Sequence, residues 1–213
     1  DIFVPVYVIA PSNPVNILWV NDGNNRFFDK AEQAGVAIEP HGRDGYGLAS
    51  GAAFGDFNND GWFDLAVANI HGWAAVYENN KDGTFTNITE KTGLFTGDPE
   101  KQWHNANWID HNNDGWLDLW LTQWYGEDGY VCYIFENQGP ERPGYFVDVT
   151  EKLGFTKFNE FNEVMGLAAG DYDGDRFLDI LFYTSAGYKP AYKGVHLFKN
   201  DGNDNNWLQI DLI

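Results

Sequence analysis

The sequence predicts an all-β fold, a β-propeller built of four-stranded antiparallel blades, and two recurring units predict it. One unit starts at Asn21, Asn79 and Asn137, as NDGNNRFFDKAEQAGV, NNKDGTFTNITEKTGL and NQGPERPGYFVDVTEKLGF, 58 residues apart each time, and a shortened copy, NDGNDNNWLQIDL, starts at Asn200. The other lies between these copies: GDFNNDGWFDLAVAN, IDHNNDGWLDLWLTQ and GDYDGDRFLDILFYT, each an acidic loop followed by a short apolar run.

The elements follow in order. Each repeat carries one strand before its acidic loop (AAF, ANWI, LAA) and one after it (DLAVA, DLWLT, DILFY), runs too short and too rich in β-branched or aromatic residues for helices. A third strand (AAVYE, CYIFE, VHLFK) precedes the Asn-Gly turn and a fourth (TFTNIT, YFVDVT, WLQIDL) follows it, which makes a propeller blade. The helical candidates are single turns such as TEKTG and TEKLG, each ended by a glycine suited to a left-handed cap.

Asp1-Ile2-Phe3-Val4 aligns with the closing Asp of each acidic loop and its strand, as in Asp64-Leu65, Asp118-Leu119 and Asp179-Ile180. Residues 1–213 are therefore expected to form one propeller domain with blades at about 1–36 (partial), 47–94, 104–155 and 165–213. Propellers close with typically 4 to 8 blades, so three complete blades plus three strands imply part of a larger ring. Further sequence or another chain would complete it.

With 43% hydrophobic and 17% aromatic residues the chain can bury a core. A net charge of −19 repels nucleic-acid phosphates and anionic headgroups, and favours cationic partners. No run reaches the roughly 18 to 20 apolar residues of a membrane-spanning helix, so no membrane insertion is expected. Cys132 is the sole cysteine and reads as a small buried hydrophobe. Asn87-Ile88-Thr89 is a glycosylation sequon.

Counted from the first Asp, loop one offers Asp56, Asn58, Asp60 and Asp64; loop two Asp110, Asn112, Asp114 and Asp118; loop three Asp171, Asp173, Asp175 and Asp179. Side-chain oxygens at alternating positions suit a hard cation that takes 6 to 8 oxygen ligands, and the seventh-position carbonyls of Trp62, Trp116 and Phe177 add one each. An EF-hand needs an acid at position twelve, where this chain has Val67, Leu121 and Phe182. Turns without metal need no acid at the fifth and ninth positions, and converging carboxylates about 4 Å apart repel by roughly 1 to 4 kcal/mol per pair. About three structural Ca²⁺ sites are predicted. Loop three carries Arg176 where the others have Gly61 and Gly115, and is expected to hold it at positive φ with its side chain toward solvent. Its four carboxylates are expected to keep it filled at millimolar calcium.

The D-x-[DN]-x-D-G-x-x-D loops and the trailing N-x-DGTF-x-x-[IV]-T-E-x-x-G-[LF] resemble the FG-GAP/VCBS repeats found in integrin α-subunit propellers. Asn205-Asn206-Trp207-Leu208-Gln209-Ile210 is similar to the junction of the acidic cartilage-protein-like (ASPIC/UnbV) group. The resemblance implies a secreted, cell-surface or periplasmic protein.

Strand alternation puts each acidic loop on the face of the Asn-Gly turn. The opposite face is expected to display Trp73, Trp103, His104, Trp124, Tyr125 and Tyr188, aromatic and polar groups suited to a protein or glycan partner. The five histidines share no metal-ligand spacing, and neither a nucleophile elbow nor a phosphate-binding glycine loop occurs. His111, at a non-ligand position of loop two, is expected to be solvated. The sequence thus favours a non-enzymatic binding, adhesion or assembly module. The alternative is a propeller-fold polysaccharide lyase or hydrolase, or a lectin.

Overall fold

The computed structural model describes residues 1–6, 16–37, 49–70, 74–94, 102–123, 132–155, 163–185 and 194–202. It is all-β, with four antiparallel sheets of three or four strands arranged as the blades of a partial propeller. The first sheet holds β1 (Ile2–Val4), β2 (Ile17–Asn21) and β3 (Phe27–Asp29). The second holds β4 (Ala49–Gly55), β5 (Asp64–Asn69), β6 (Ala75–Asn79) and β7 (Phe85–Asn87). The third holds β8 (Trp103–Ile109), β9 (Asp118–Gln123), β10 (Cys132–Gln138) and β11 (Arg142–Asp148). The last holds β12 (Glu163–Gly170), β13 (Asp179–Ser185) and β14 (Gly194–Phe198). In every sheet, strands adjacent in sequence are adjacent in space. The strand expected at WLQIDL lies outside the described residues.

The apolar run after each acidic loop is unbroken because its strand is sandwiched between two neighbouring blades. All six residues of β5 are buried. Leu65 and Val67 pack with Leu18, Val36 and Tyr77 on the side of the first blade, while Ala66 and Ala68 pack with Trp103, Leu119 and Leu121 on the side of the third. In β9 the same alternation sends Leu119 and Leu121 one way and Trp120 the other, toward Ile180 and Phe182. At roughly 1.5 to 3 kcal/mol for each fully buried large aliphatic or Phe side chain, these three inter-blade cores are the main source of cohesion. Cys132 is buried in the third of them, as expected of a small hydrophobe.

The first strands of the complete blades approach closely. A β-carbon on Gly51 would come within 2.7 Å of the Asn105 backbone, so only glycine fits there. Pairing is interrupted by one residue near the start of β4, β8 and β12, at Ser50, His104 and Met165. The Ser50 hydroxyl donates to the carbonyls of Trp103 (2.9 Å) and His104 (2.7 Å), and Nδ1 of His104 lies 3.1 Å from the Val164 carbonyl of the next blade.

This placement corrects the reading of Trp103. It is 5% exposed, in edge contact with Tyr133 and Phe135 inside an inter-blade core. The sequence could not distinguish a displayed ring from one wedged between blades. His104 is half-buried against the last blade. Trp73, Trp124, Tyr125 and Tyr188 lie outside the described residues.

The expected single turns close the blades. Asp29, Asn87 and Asp148 each accept the backbone N–H two residues on at 3.0 Å, and Gly35, Gly93 and Gly154 end the turns at φ 79°, 79° and 81°. Asn87 is thus a turn residue of the repeat. Its Nδ2 is buried, so the folded chain does not present the sequon to a transferase.

Candidate metal centre

Each acidic loop joins the first and second strands of its blade and turns left-handed at the same two positions. Position four is left-handed in all three (Asn59 φ 57°, Asn113 φ 54°, Gly174 φ 81°), and so is position six (Gly61 φ 88°, Gly115 φ 86°, Arg176 φ 84°). Arg176 takes the positive φ expected of it, with its side chain exposed.

The first Asp organises the turn through both oxygens. Asp56 accepts from the amides of Asp60 (2.9 Å) and Gly61 (2.8 Å), and Asp110 from those of Asp114 (3.1 Å) and Gly115 (2.9 Å). Asp171 accepts from Gly174 (2.7 Å) and Arg176 (2.8 Å). Position five in turn accepts the amide of position seven: Asp60 from Trp62 (3.0 Å), Asp114 from Trp116 (2.8 Å) and Asp175 from Phe177 (3.0 Å). Among the described residues only loop three draws three carboxylates together. In loop three, carboxylate oxygens of Asp171, Asp173 and Asp179 lie within 4.8 Å of one another.

The ninth-position Asp residues are the buried members: Asp64, Asp118 and Asp179 are at most 1% exposed. Oδ2 of Asp64 is buried and lacks a hydrogen bond of good geometry, the Phe57 amide being a weak donor to this carboxyl. Burial, followed by the charges of Asp60 and Asp56, pushes its carboxyl up to about 7. Burial and the charges of Asp114 and Asp118 likewise raise Asp110. A divalent cation would compensate all of these causes at once. An oxygen-only donor set with a poorly satisfied buried carboxylate oxygen fits a hard ion such as calcium.

Three features of the site were not apparent in the sequence. First, His111 is not solvated. It is 6% exposed, its Nδ1 lies 2.5 Å from Oδ2 of Asp118, and its Nε2 faces Glu136 at 3.8 Å. Second, lysines enter two loops. Lys81 pairs with Asp60 at 3.1 Å, and Lys199 pairs with both Asp173 and Asp175. Burial works against ionisation of Asp60, yet Lys81 and the Trp62 amide outweigh it and hold the carboxyl below its usual range. Lys199 does the same to Asp175, and its own ammonium is stabilised in return.

Third, the Asn that opens each trailing block is part of the site. Asn79, Asn137 and Asn200 donate their backbone N–H to Oδ1 of Asp64, Asp118 and Asp179, each at 2.8 Å. Their side-chain amides donate to the eighth-position carbonyls of Phe63 (2.9 Å), Leu117 (3.0 Å) and Leu178 (3.4 Å). The acidic loop and the Asn-Gly turn therefore share one face. The 58-residue spacing of Asn21, Asn79 and Asn137 was the available signal.

The fold and this loop define a class: propellers whose blades carry oxygen-donor loops between their first and second strands. A model described as FG-GAP-like repeat matches residues 56–121 and 110–182, and the chain belongs to that family. Cartilage acidic protein 1 of Mus musculus is 28% identical over 212 residues, covering 93% of this chain and 29% of the relative. Cartilage acidic protein 1 of Xenopus tropicalis is 27% identical over 141 residues, covering 66% of this chain and 20% of the relative. The chain spans under a third of the length of these curated relatives.

Proposed function

We propose that this chain is a calcium-stabilised extracellular propeller module, non-enzymatic, that serves adhesion or assembly. The observation that carries the calcium reading is the buried, poorly satisfied Oδ2 of Asp64 beside the charges of Asp56 and Asp60. Such a group is costly unless neutralised or coordinated. In loop one Asp56, Asn58, Asp60, Asp64 and the Trp62 carbonyl would hold the ion, with the equivalent residues in the other loops. The ion would tie the loop between the first and second strands of a blade to the buried Asp that opens the second. The extracellular placement is supported by the FG-GAP-like repeats and by relatives named for cartilage. In this reading a protein or glycan partner docks on the face opposite the calcium loops.

Calcium and chelator melting curves test it. Ligand that binds only the native state stabilises by about 2.7 kcal/mol per site at a hundredfold excess over Kd. A melting temperature indifferent to both would overturn the calcium reading. A glycan array, followed by a product assay on any hit, separates a binding module from an enzyme.

A further inference from the structure

We propose that Asn137 and Asn200 are positioning residues that couple the cation loops of successive blades, so that an ion in one loop raises the affinity of the loop before it. This rests on the calcium reading above. Asn137 is 3% exposed and stands at a three-way junction. Its backbone N–H holds Asp118, the closing residue of loop two, and its side-chain amide holds the Leu117 carbonyl of that loop. The same amide reaches 80 residues back in the chain to the carbonyl of Phe57, at 2.8 Å. Phe57 lies between Asp56 and Asn58, two donors of loop one. One blade further on, Asn200 repeats the arrangement, with Asp179 on its own side and the His111 carbonyl of loop two on the other, also at 2.8 Å.

A second tie runs the opposite way. The amide of Asn59, at position four of loop one, donates to the Gly115 carbonyl at 2.9 Å, and Asn113 donates to the Arg176 carbonyl at 3.1 Å. Each accepting carbonyl lies one residue before the seventh-position carbonyl that would face the ion. Adjacent loops are thus pinned to one another twice. A loop whose backbone is already held in its ligating turn loses less conformational entropy when it captures its own ion. Such coupling is reciprocal and typically changes affinity on the order of fivefold or more.

The test follows each loop separately in the full chain, by calcium titration of glycine-selective ¹⁵N spectra. Gly61 and Gly115 are the reporters, because their amides donate to Asp56 and Asp110. Asp114→Ala disables loop two, and the hydrogen bonds of Asp114 to Asp110, Asn112 and Trp116 stay within that loop. The expected result is that the Gly61 midpoint moves to calcium concentrations about fivefold higher or more, and that in an Asn137→Ala background Asp114→Ala moves it less. Should Asn137→Ala fail to fold, Asn59→Gly cuts the other tie while keeping the left-handed turn, as Gly174 does in loop three, and should reduce the shift. A Gly61 midpoint unmoved by Asp114→Ala overturns the coupling and leaves the calcium reading standing. A full shift that persists in every foldable Asn variant overturns the assigned route. A Gly61 signal that never responds to calcium in the unaltered chain overturns the calcium reading and the coupling with it.

Discussion

The backbone N–H of Asn137 donates to Oδ1 of Asp118 at 2.8 Å, and the bond recurs at 2.8 Å as Asn21 to Asp1, Asn79 to Asp64 and Asn200 to Asp179. Each Asn also folds its own Oδ1 back onto the amide two residues on, at Gly23, Lys81, Gly139 and Gly202. This residue must therefore accept through one side-chain atom and donate through the other, which Asp cannot do. Asp1 thus accepts the same bond as the closing Asp residues with which Asp1-Ile2-Phe3-Val4 aligns.

Asn137→Ala should accordingly destabilise by about 2 to 3 kcal/mol, since it strips partners from two carbonyls and one amide at roughly 1 kcal/mol each. Asn21→Ala, at an exposed position, should cost less than about 1 kcal/mol. Denaturant unfolding of the two variants checks this, and equal losses would contradict it.

Asp64 makes the metal-free protein sensitive to pH. Burial first, then Asp60 and Asp56, raise its folded carboxyl to about 7, against roughly 3.9 when unfolded. Because the folded state holds the proton more tightly, the stabilisation from protonation is fully present below about pH 4 and is lost as pH rises through about 7. In excess chelator the melting temperature should rise as pH falls across that window, at up to about 1.4 kcal/mol per pH unit. Saturating calcium should remove or reverse the trend. Asp64→Asn in chelator should flatten it; an unchanged slope would assign the effect to other groups.

Trp103 was expected on a displayed face and is instead core. Trp103→Ala should lower stability by about 3 to 5 kcal/mol, as for other buried aromatic truncations. Thermal unfolding decides: a variant as stable as the parent would return Trp103 to the surface.

Asn87 bears the only sequon raised by the sequence, and its buried Nδ2 argues that the folded chain is not a substrate. Expression in a glycosylating host should leave Asn87 unmodified by peptide mass mapping. Full occupancy would mean the glycan is added before this turn forms.

Periodicity made the blades legible. Strand order, the loop face and the single turns all follow from patterns that repeat within the chain. What escaped were relations between blades, because side chains 50 to 90 residues apart leave no local trace: Asn137 on Phe57 (80 apart), Asn200 on His111 (89 apart) and Ser50 on His104 (54 apart). His111 shows the same limit. At a non-ligand position it reads as solvated, yet the next blade's Asn200 covers its backbone and Asp118 takes its ring. Lys199 was equally silent, since only the fold brings β14 beside loop three.

That lysine bears on the last prediction. Counting carboxylates alone favours loop three, which has Asp173 where the others have Asn58 and Asn112. Yet the strand residue before the repeated Asn differs in step. Glu78 and Glu136 stand there in the second and third blades, with Asn58 donating to Glu78 at 3.3 Å, whereas the last blade has Lys199 bonded to Asp173 and Asp175. The extra negative charge of loop three is therefore answered within the chain, and an incoming ion must displace an ammonium from two carboxylates, against one, Asp60 by Lys81, in loop one. Arg176 at φ 84° adds roughly 1 to 2 kcal/mol of backbone cost, which a glycine would not incur. Loop three should be the weakest of the three sites. Lys199→Met should tighten it several-fold, and Arg176→Gly should stabilise the turn independently, with loop two gaining in turn through the Asn113 and Asn200 ties. Isothermal calcium titration of the two variants and their combination separates the contributions. If Lys199→Met leaves the weakest site as weak as before, Lys199 is a surface contact that yields without cost, and strain at Arg176 alone sets the order of filling.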